Sequence, residues 1–208
     1  MAQIKWIHHA SIIIEGEKCV YIDPWKLEGI ANPKPADLVL ITHDHYDHLS
    51  IPDLRRITGP ETEILVPKGA ENKLATLRGK VRAVAPGDDV RAAGLRVEVM
   101  PAYNTNKAFH PKAAGYLGYV VTVDGERIYH AGDTDRIPEM KGLAPDVALV
   151  PVGGTYTMTA AEAALAVADI GARRAIPIHY GDIVGTRDDA LAFKKQCAVP
   201  VDILEPLV

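Results

Sequence analysis

The segment His43–His48 carries three imidazoles and two carboxylates within six residues. Neutral imidazole and carboxylate groups are ligands that zinc accepts, and manganese or iron accept them as well. The His43-x-His45 spacing lets two imidazoles hold one metal ion, and Asp47 and His48, whose side chains point apart, can serve a second ion nearby. A solvated loop would instead be rich in Gly, Ser, Asn and Pro. The pattern therefore predicts a metal site.

The apolar run Leu38–Ile41 precedes this segment and predicts a buried strand, so the cluster lies where a strand ends. Other metal-capable residues also follow predicted strands along the chain, namely His8, His9, Asp23, Asp133 and His179. A single histidine or aspartate in such a place is usually a structural residue. Because sites are often assembled from several loops at one edge of a sheet, their joint occurrence favours one shared site.

Hydrophobic periodicity and turn signals predict a series of short strands. These strands are expected at residues 3–7, 11–15, 18–22, 38–41, 64–66, 81–84, 90–92, 95–100, 116–123, 127–130, 147–152, 175–178 and 201–204. Helices are expected from Ser50 through Ile57, over 70–77, from Thr159 to Gly171, and from Thr186 onward. Two halves, each of strands followed by helices, predict an α/β sandwich of two packed sheets with helices outside.

Composition limits the function classes. The 208 residues fit one domain, 1–208, with 48% hydrophobic and 24% charged residues and a net charge of −4, which disfavours a nucleic-acid partner. We expect no membrane span and no signal-peptide apolar region. Two distant cysteines, Cys19 and Cys197, favour a nitrogen- and oxygen-ligated site and a cytoplasmic location. The oligomeric state has no signal in the sequence.

Taken together, these motifs resemble those of the metallo-β-lactamase fold hydrolases. The resemblance rests on His43-x-His45-x-Asp47-His48, on Gly132-Asp133-Thr134, on His179 after the penultimate strand and on Asp23 after an early strand. The segment Ile7–Ser11 looks like the branch of ascorbate-phosphate lactonase-like and N-acylphosphatidylethanolamine phospholipase D-like proteins. The resemblance implies a four-layer αββα sandwich.

The resemblance also implies roles for the residues that match. His43 and His45 would hold one metal ion with a further histidine, and Asp47, His48 and His179 would hold a second. Asp133 would bridge both ions. Asp23 would orient a ligand imidazole, as metal sites require. His9 would either reach the pocket as a substrate-binding or proton-transfer residue or be structural.

One position departs from the family pattern. The remaining histidine of the first site is expected just after the strand that ends at Pro101, where this chain has Ala102-Tyr103-Asn104. Either Asn104 or His110 takes this role, or the first ion has fewer protein ligands. We favour His110, because the loop that carries it could fold back towards the site. Asn104 is then expected to support a ligand without binding the ion. His130, inside a predicted strand, is expected to be a packed core residue.

The expected reaction is hydrolysis, because two divalent ions, preferably zinc and otherwise manganese or iron, supply a hydroxide and polarise the bond under attack. Asp47 would accept a proton. The substrate is expected to be a small molecule with a carbonyl or phosphoryl ester-type bond, such as a lactone, thioester or phosphodiester. Lys107 and Lys112, in the loop that follows Asn104, raise the possibility of an anionic substrate. The alternatives are a non-catalytic metal-binding regulatory domain and a nuclease of the same fold.

Overall fold

Two six-stranded sheets form the centre of the protein, for which the computed structural model describes residues 2–208. The first sheet contains β1 Gln3–His8, β2 Ser11–Glu15, β3 Cys19–Ile22, β4 Leu38–Leu40, β5 Glu63–Pro67 and β6 Lys80–Val84. The second contains β7 Asp89–Ala92, β8 Leu95–Pro101, β9 Leu117–Val123, β10 Glu126–His130, β11 Val147–Pro151 and β12 Arg174–Ile178. The α-helices are α1 Ile51–Ile57, α2 Ala160–Ile170 and α3 Arg187–Gln196.

The strand order in both sheets follows the chain, from β1 to β6 in the first sheet and from β7 to β12 in the second. Strands β3 to β6 are parallel to one another, and so are β10 to β12. The carboxyl ends of parallel strands meet at one edge of a sheet. The loops after β3, β4, β10, β11 and β12 therefore start at the same edges, and they carry most of the predicted site residues.

Alternating side chains on β4 show how the layers pack. Leu38 and Leu40 belong to a core cluster shared with the second sheet, whereas Val39 lies in a separate cluster with Leu54 and Ile57 of α1. Helices α2 and α3 contact each other and cover β11 and β12 of the second sheet. The order is thus helix, sheet, sheet, helices, which confirms the four-layer αββα sandwich. The continuous core supports the expectation of one domain, which stays a prediction.

The helix ends follow their capping residues. The Ser50 side chain accepts a hydrogen bond from the backbone N–H of Asp53, and Thr159 and Glu162 form a reciprocal capping box at the start of α2. Gly171 ends α2 with φ of 73°, a left-handed conformation that glycine adopts without steric cost. No helix within residues 2–208 is both long and apolar enough to cross a bilayer.

Two predicted elements are wrong. The helix expected over 70–77 is only a 3-10 turn, Glu71–Leu74, because Ala70 offers no capping side chain and Leu74 alone is buried. The strand expected over 201–204 reduces to a single bridge between Val201 and Ala175. The next bond toward residue 204 would need an N–H from Pro177 of β12, which proline lacks, so the pairing does not extend.

Candidate metal centre

Three imidazoles converge beside the end of β4. His43 Nε2 lies 2.9 Å from His45 Nδ1, and the ring of His110 lies 5.3 Å from that of His43 and 5.2 Å from that of His45. Each residue can offer one nitrogen such that all three nitrogens lie within 4.8 Å of one another. We call this set the triad His43–His45–His110. It has the size and chemistry of a site for one divalent ion.

The loop between β8 and β9 folds back to bring His110 into the triad. The backbone N–H of Asn104 donates to the carbonyl of His110 at 2.7 Å, and Asn104 Oδ1 accepts from the backbone N–H of His110 at 3.0 Å. The Asn104 amide is itself held, because its Nδ2 donates to Asp135 and to the carbonyl of Tyr156. His110 Nδ1 lies 3.2 Å from both Asn104 Oδ1 and the Tyr156 carbonyl. With Nδ1–H donating there, Nε2 is free to face the triad.

A second group lies next to the triad and consists of His9, Asp47, His48 and His179. Asp47 Oδ2 lies 3.4 Å from His9 Nε2 and 3.4 Å from His48 Nε2. The rings of His9 and His179 are 3.8 Å apart, and the backbone N–H of His179 donates to the carbonyl of His9 at 2.9 Å. The structure thus brings His9, which follows β1, together with residues that follow β4 and β12.

Asp133 contacts members of both groups. Its Oδ2 lies 3.0 Å from His179 Nε2, 3.3 Å from His110 Nε2 and 3.9 Å from His43 Nε2, and its Oδ1 lies 3.5 Å from His48 Nε2. Asp133 follows β10, so this carboxylate reaches the site from the second sheet. It occupies the place in which a carboxylate can join two neighbouring ions.

Asp23 orients two of the imidazoles. His48 Nδ1 donates to Asp23 Oδ2 at 2.7 Å, which leaves His48 Nε2 as the free nitrogen. Thr42 Oγ1 donates to the same oxygen at 2.5 Å and lies 3.0 Å from His43 Nδ1, from which it accepts. Because these contacts engage Nδ1 of both rings, Nε2 is the nitrogen of each that can bind a metal ion.

The buried imidazoles are mainly neutral. Burial lowers the pKa of His43 well below its usual value and also lowers the pKa of His110. Burial lowers the pKa of His9 to about 4, although the contact with Asp47 opposes the shift. Neutral imidazole is the form that binds a metal ion, so burial prepares His43 and His110 as ligands.

The charged groups of the site are the carboxylates and His48. Burial disfavours the protonated form of His48, but Asp133 and Asp23 raise its pKa well above the usual value. Burial would raise the pKa values of Asp47 and Asp133, yet the surrounding histidines hold both below the usual range. The two carboxylates are therefore anionic, and a metal ion at His48 Nε2 has to displace a proton.

Several buried polar atoms at the site lack a hydrogen-bond partner among the described residues. They are both ring nitrogens of His9, the Nε2 of His48, the Nδ1 of His179 and the Oδ1 of Asp133. Buried polar atoms in proteins are nearly always paired, so such a concentration of unpaired ones points to a bound group. A donor set of nitrogen and carboxylate oxygen suits zinc, manganese or iron. The residues present therefore fit divalent metal ions.

The backbone at the site is strained. His9, Asp23 and His179 have φ values of 51°, 47° and 59°, in the left-handed region that costs a residue other than glycine about 1–2 kcal/mol. Gly132 has φ of 66°, and a Cβ there would lie 2.4 Å from the Leu117 carbonyl oxygen, so this position accepts only glycine. Such strain concentrates at functional sites, where the surrounding structure holds the required geometry.

We expect that Asp23→Asn will weaken metal binding about 10- to 100-fold, the effect typical of removing a carboxylate that orients a ligand. Asparagine tolerates the left-handed backbone but places an amide N–H against the donors of Thr42 and His48. Competition with a chromogenic chelator measures the affinity. Asp53→Asn is the matched control, since Asp53 is a buried carboxylate that accepts backbone N–H groups away from both groups. Equal affinity in Asp23→Asn and the unaltered protein would refute the orienting role.

The sequence indicated every residue of both groups as well as Asp133 and Asp23. It missed two residues that hold site residues in place by hydrogen bonds. Thr42 connects Asp23 to His43, and its place between a strand and the first histidine was the available signal. Asp135, two residues after Asp133, holds the amide of Asn104. His130 is fully buried with Nε2 2.9 Å from the carbonyl of Ala10, which confirms its place in the core.

A cavity of about 260 Å³ opens onto the site. Its walls are formed by His45, Tyr46, Asp47, Phe109, His110, Asp133, Tyr156, His179 and Ile183. Tyr156 lies on this wall, whereas Met158, two residues further on, is fully buried in the core. A larger cavity of about 410 Å³, lined by Tyr103 and Glu139 among others, contains no member of either histidine group. The smaller cavity is therefore the one that adjoins the two histidine groups and Asp133.

Comparisons with known proteins find relatives that match nearly the whole chain. The sequence model described as Beta-lactamase superfamily domain matches residues 3–179. A UPF0173 metal-dependent hydrolase of Methanoregula boonei is 37% identical over 203 residues, covering 92% of this chain and 87% of that protein. One from Pyrococcus abyssi is 32% identical, covering 94% and 92%.

Solved structures of similar proteins superpose on this chain. A protein of Parabacteroides distasonis superposes with a TM-score of 0.84 at 33% identity, covering 99% of this chain and 93% of that one. Igni18, a metallo hydrolase from Ignicoccus hospitalis, superposes with a TM-score of 0.81 at 25% identity, covering 99% and 95%. Both similarities extend over nearly the whole length of each chain.

Proposed function

This chain belongs to the β-lactamase superfamily of metal-dependent hydrolases, and we propose that it uses two divalent ions, preferably zinc, to hydrolyse an ester-type bond of a small molecule. The observation that carries the proposal is the position of Asp133, whose two carboxylate oxygens contact imidazoles of both groups. The small cavity next to these groups supports a small substrate.

We assign the triad His43–His45–His110 to one ion. Asp47, His48 and His179 would hold the other, and Asp133, which contacts imidazoles of both groups, would be a ligand shared by the two sites. When bound, the divalent ions supply hydroxide at neutral pH and polarise the bond under attack. The presence of His110 beside His43 and His45 supports the catalytic proposal over the non-catalytic alternative, because three nitrogens are then available for the first ion.

The protein residues orient the reactants and move one proton. The oxygen of water forms a bond to the carbonyl carbon or the phosphorus, and the bond from that atom to the leaving oxygen or sulfur breaks. Asp47 Oδ2 accepts the proton lost by water, and the same proton ends on the leaving group. His9 Nε2 lies 3.4 Å from Asp47 Oδ2, which is close enough to assist the transfer.

Metal content and hydrolysis measured together test the proposal. Protein purified without chelator is analysed by mass spectrometry for zinc, manganese and iron, and is assayed with 4-nitrophenyl carboxylic esters, a lactone, a thioester and bis(4-nitrophenyl) phosphate. We expect about two ions per chain and hydrolysis that dialysis against chelator abolishes and added metal restores. One ion or none, with no turnover after zinc, manganese or iron is added, would refute it.

A further inference from the structure

The outer wall of the cavity is formed by four apolar or aromatic side chains from four different loops. Tyr46 follows β4, Phe109 lies between β8 and β9, Tyr156 follows β11, and Ile183 follows β12. We call these four residues the collar. The remaining lining residues are those of the two metal groups and Asp133. A molecule bound in this cavity next to the two metal groups therefore contacts the collar residues.

Two aromatic side chains of the collar are largely exposed to solvent instead of packing in the core. Within residues 2–208, the two aromatic side chains that are largely exposed are Tyr46 at 68% and Phe109 at 51%, and both lie on this wall. Their neighbours hold them in place. Phe109 meets Tyr156 edge to face at 4.6 Å between ring centroids, and Tyr46 meets Trp25 in the same way at 6.0 Å. Ordered, exposed aromatic groups at the mouth of a cavity are typical of a binding surface.

The collar carries no cation. No lysine or arginine within the described residues lines the cavity. Lys107 and Lys112, in the loop that carries Phe109, are paired with Asp135 and Glu139, and Lys26, in the loop after β3, is paired with Asp182. Lys107 and Lys112, on which the expectation of an anionic substrate depended, are therefore not on this wall. Proteins that recognise phosphate usually supply arginine or lysine as charge-assisted donors, and this wall supplies none.

We propose that the collar selects substrates in which an uncharged, apolar substituent lies next to a carbonyl ester-type bond, in preference to phosphate esters and to acids with a second negative charge. The inference rests on the proposed function, because it names the substrate class of the same site. Apolar groups of the substrate displace water from Phe109, Tyr156 and Ile183, and that burial supplies the selectivity.

A series of 4-nitrophenyl esters tests the proposal on the metal-loaded protein. The acyl group is acetyl, butanoyl, pentanoyl or hexanoyl, and mono-4-nitrophenyl succinate serves as the anionic counterpart of the pentanoyl ester. We expect kcat/KM to rise about threefold to fourfold for each methylene that the collar buries. The succinate ester and 4-nitrophenyl phosphate are expected to react at least about tenfold more slowly than the pentanoyl ester.

Phe109→Ala should remove most of this dependence on chain length, and Phe109→Leu should restore much of it. The metal content of both variants should equal that of the unaltered protein, since Phe109 has no ligand atom. Leu191→Ala is the matched control, because Leu191 is 49% exposed on α3 and does not line the cavity. It should leave the whole series unchanged.

If kcat/KM does not change with the length of the acyl chain, or if the succinate or phosphate ester is preferred, the proposal is overturned. If no ester is hydrolysed at all, the proposed function fails, and the collar is then judged by binding alone. Saturation-transfer NMR on metal-free protein would compare 2-phenylethanol with phenylacetate. Binding of the neutral alcohol that Phe109→Ala weakens would support the collar without the hydrolase, whereas no binding, or preferred binding of phenylacetate, would overturn it.

Discussion

Asp133→Asn is expected to lower kcat/KM by about 10³-fold or more, because metal-ion catalysis contributes several kcal/mol and this carboxylate contacts both metal groups. The amide keeps the shape of the side chain but loses the negative charge, and one of its two ends becomes a donor that cannot bind a cation. Metal content by mass spectrometry and hydrolysis of the best 4-nitrophenyl ester measure the two consequences. We expect both to fall.

The matched control for this substitution is Asp44→Asn. Asp44 belongs to the same histidine-rich segment, but its carboxylate pairs with Lys73 and joins neither metal group. This variant should keep its metal and its activity. An Asp133→Asn protein with full metal content and kcat/KM within about tenfold of the unaltered value would exclude Asp133 as the joining ligand.

His110→Ala should reduce the metal content from about two ions per chain to about one, with kcat/KM lowered about 10²- to 10³-fold. The reason is that the triad would retain only His43 and His45 for its ion. Asn104→Ala should act more weakly, with about 10- to 100-fold lower metal affinity, because Asn104 orients His110 instead of binding the ion. Mass spectrometry and a chelator competition measure the two effects.

Phe109→Ala is the control for His110→Ala, since it removes the bulk of the neighbouring side chain without removing a nitrogen. Its metal content should stay at the unaltered value. If Asn104→Ala loses a whole ion while His110→Ala keeps both, then Asn104 is the ligand and the assignment of the triad is wrong. If both variants keep two ions, the triad does not hold a metal.

The histidine-rich segment shows what short-range sequence can determine. The spacing of His43, His45, Asp47 and His48, and the apolar run before them, lie within a few residues along one strand and loop. Local geometry fixes how such neighbours are placed, so the pattern was enough to predict a metal site at a strand end. The caps at Ser50, at Thr159 and at Thr186 were predictable for the same reason, because a cap depends on residues three positions apart.

The loop after β8 shows what short-range sequence leaves open. Whether Asn104 or His110 reaches the triad depends on Asp135, 31 residues further along the chain, and on the carbonyl of Tyr156. No periodicity links such distant residues, and a long irregular loop has many conformations of similar energy until these partners select one.

The sequence by itself determined the type of chemistry, because imidazole and carboxylate in this spacing and order suit few purposes other than metal binding, and it determined the layered fold through the alternation of strands and helices. Only the tertiary structure decided which histidine completes the triad, that His9 joins the second group, and that Lys107 and Lys112 are paired with carboxylates instead of facing the cavity. The physical reason is that these outcomes depend on distances between side chains far apart along the chain, which are set when the two sheets pack and the loops at their edges meet.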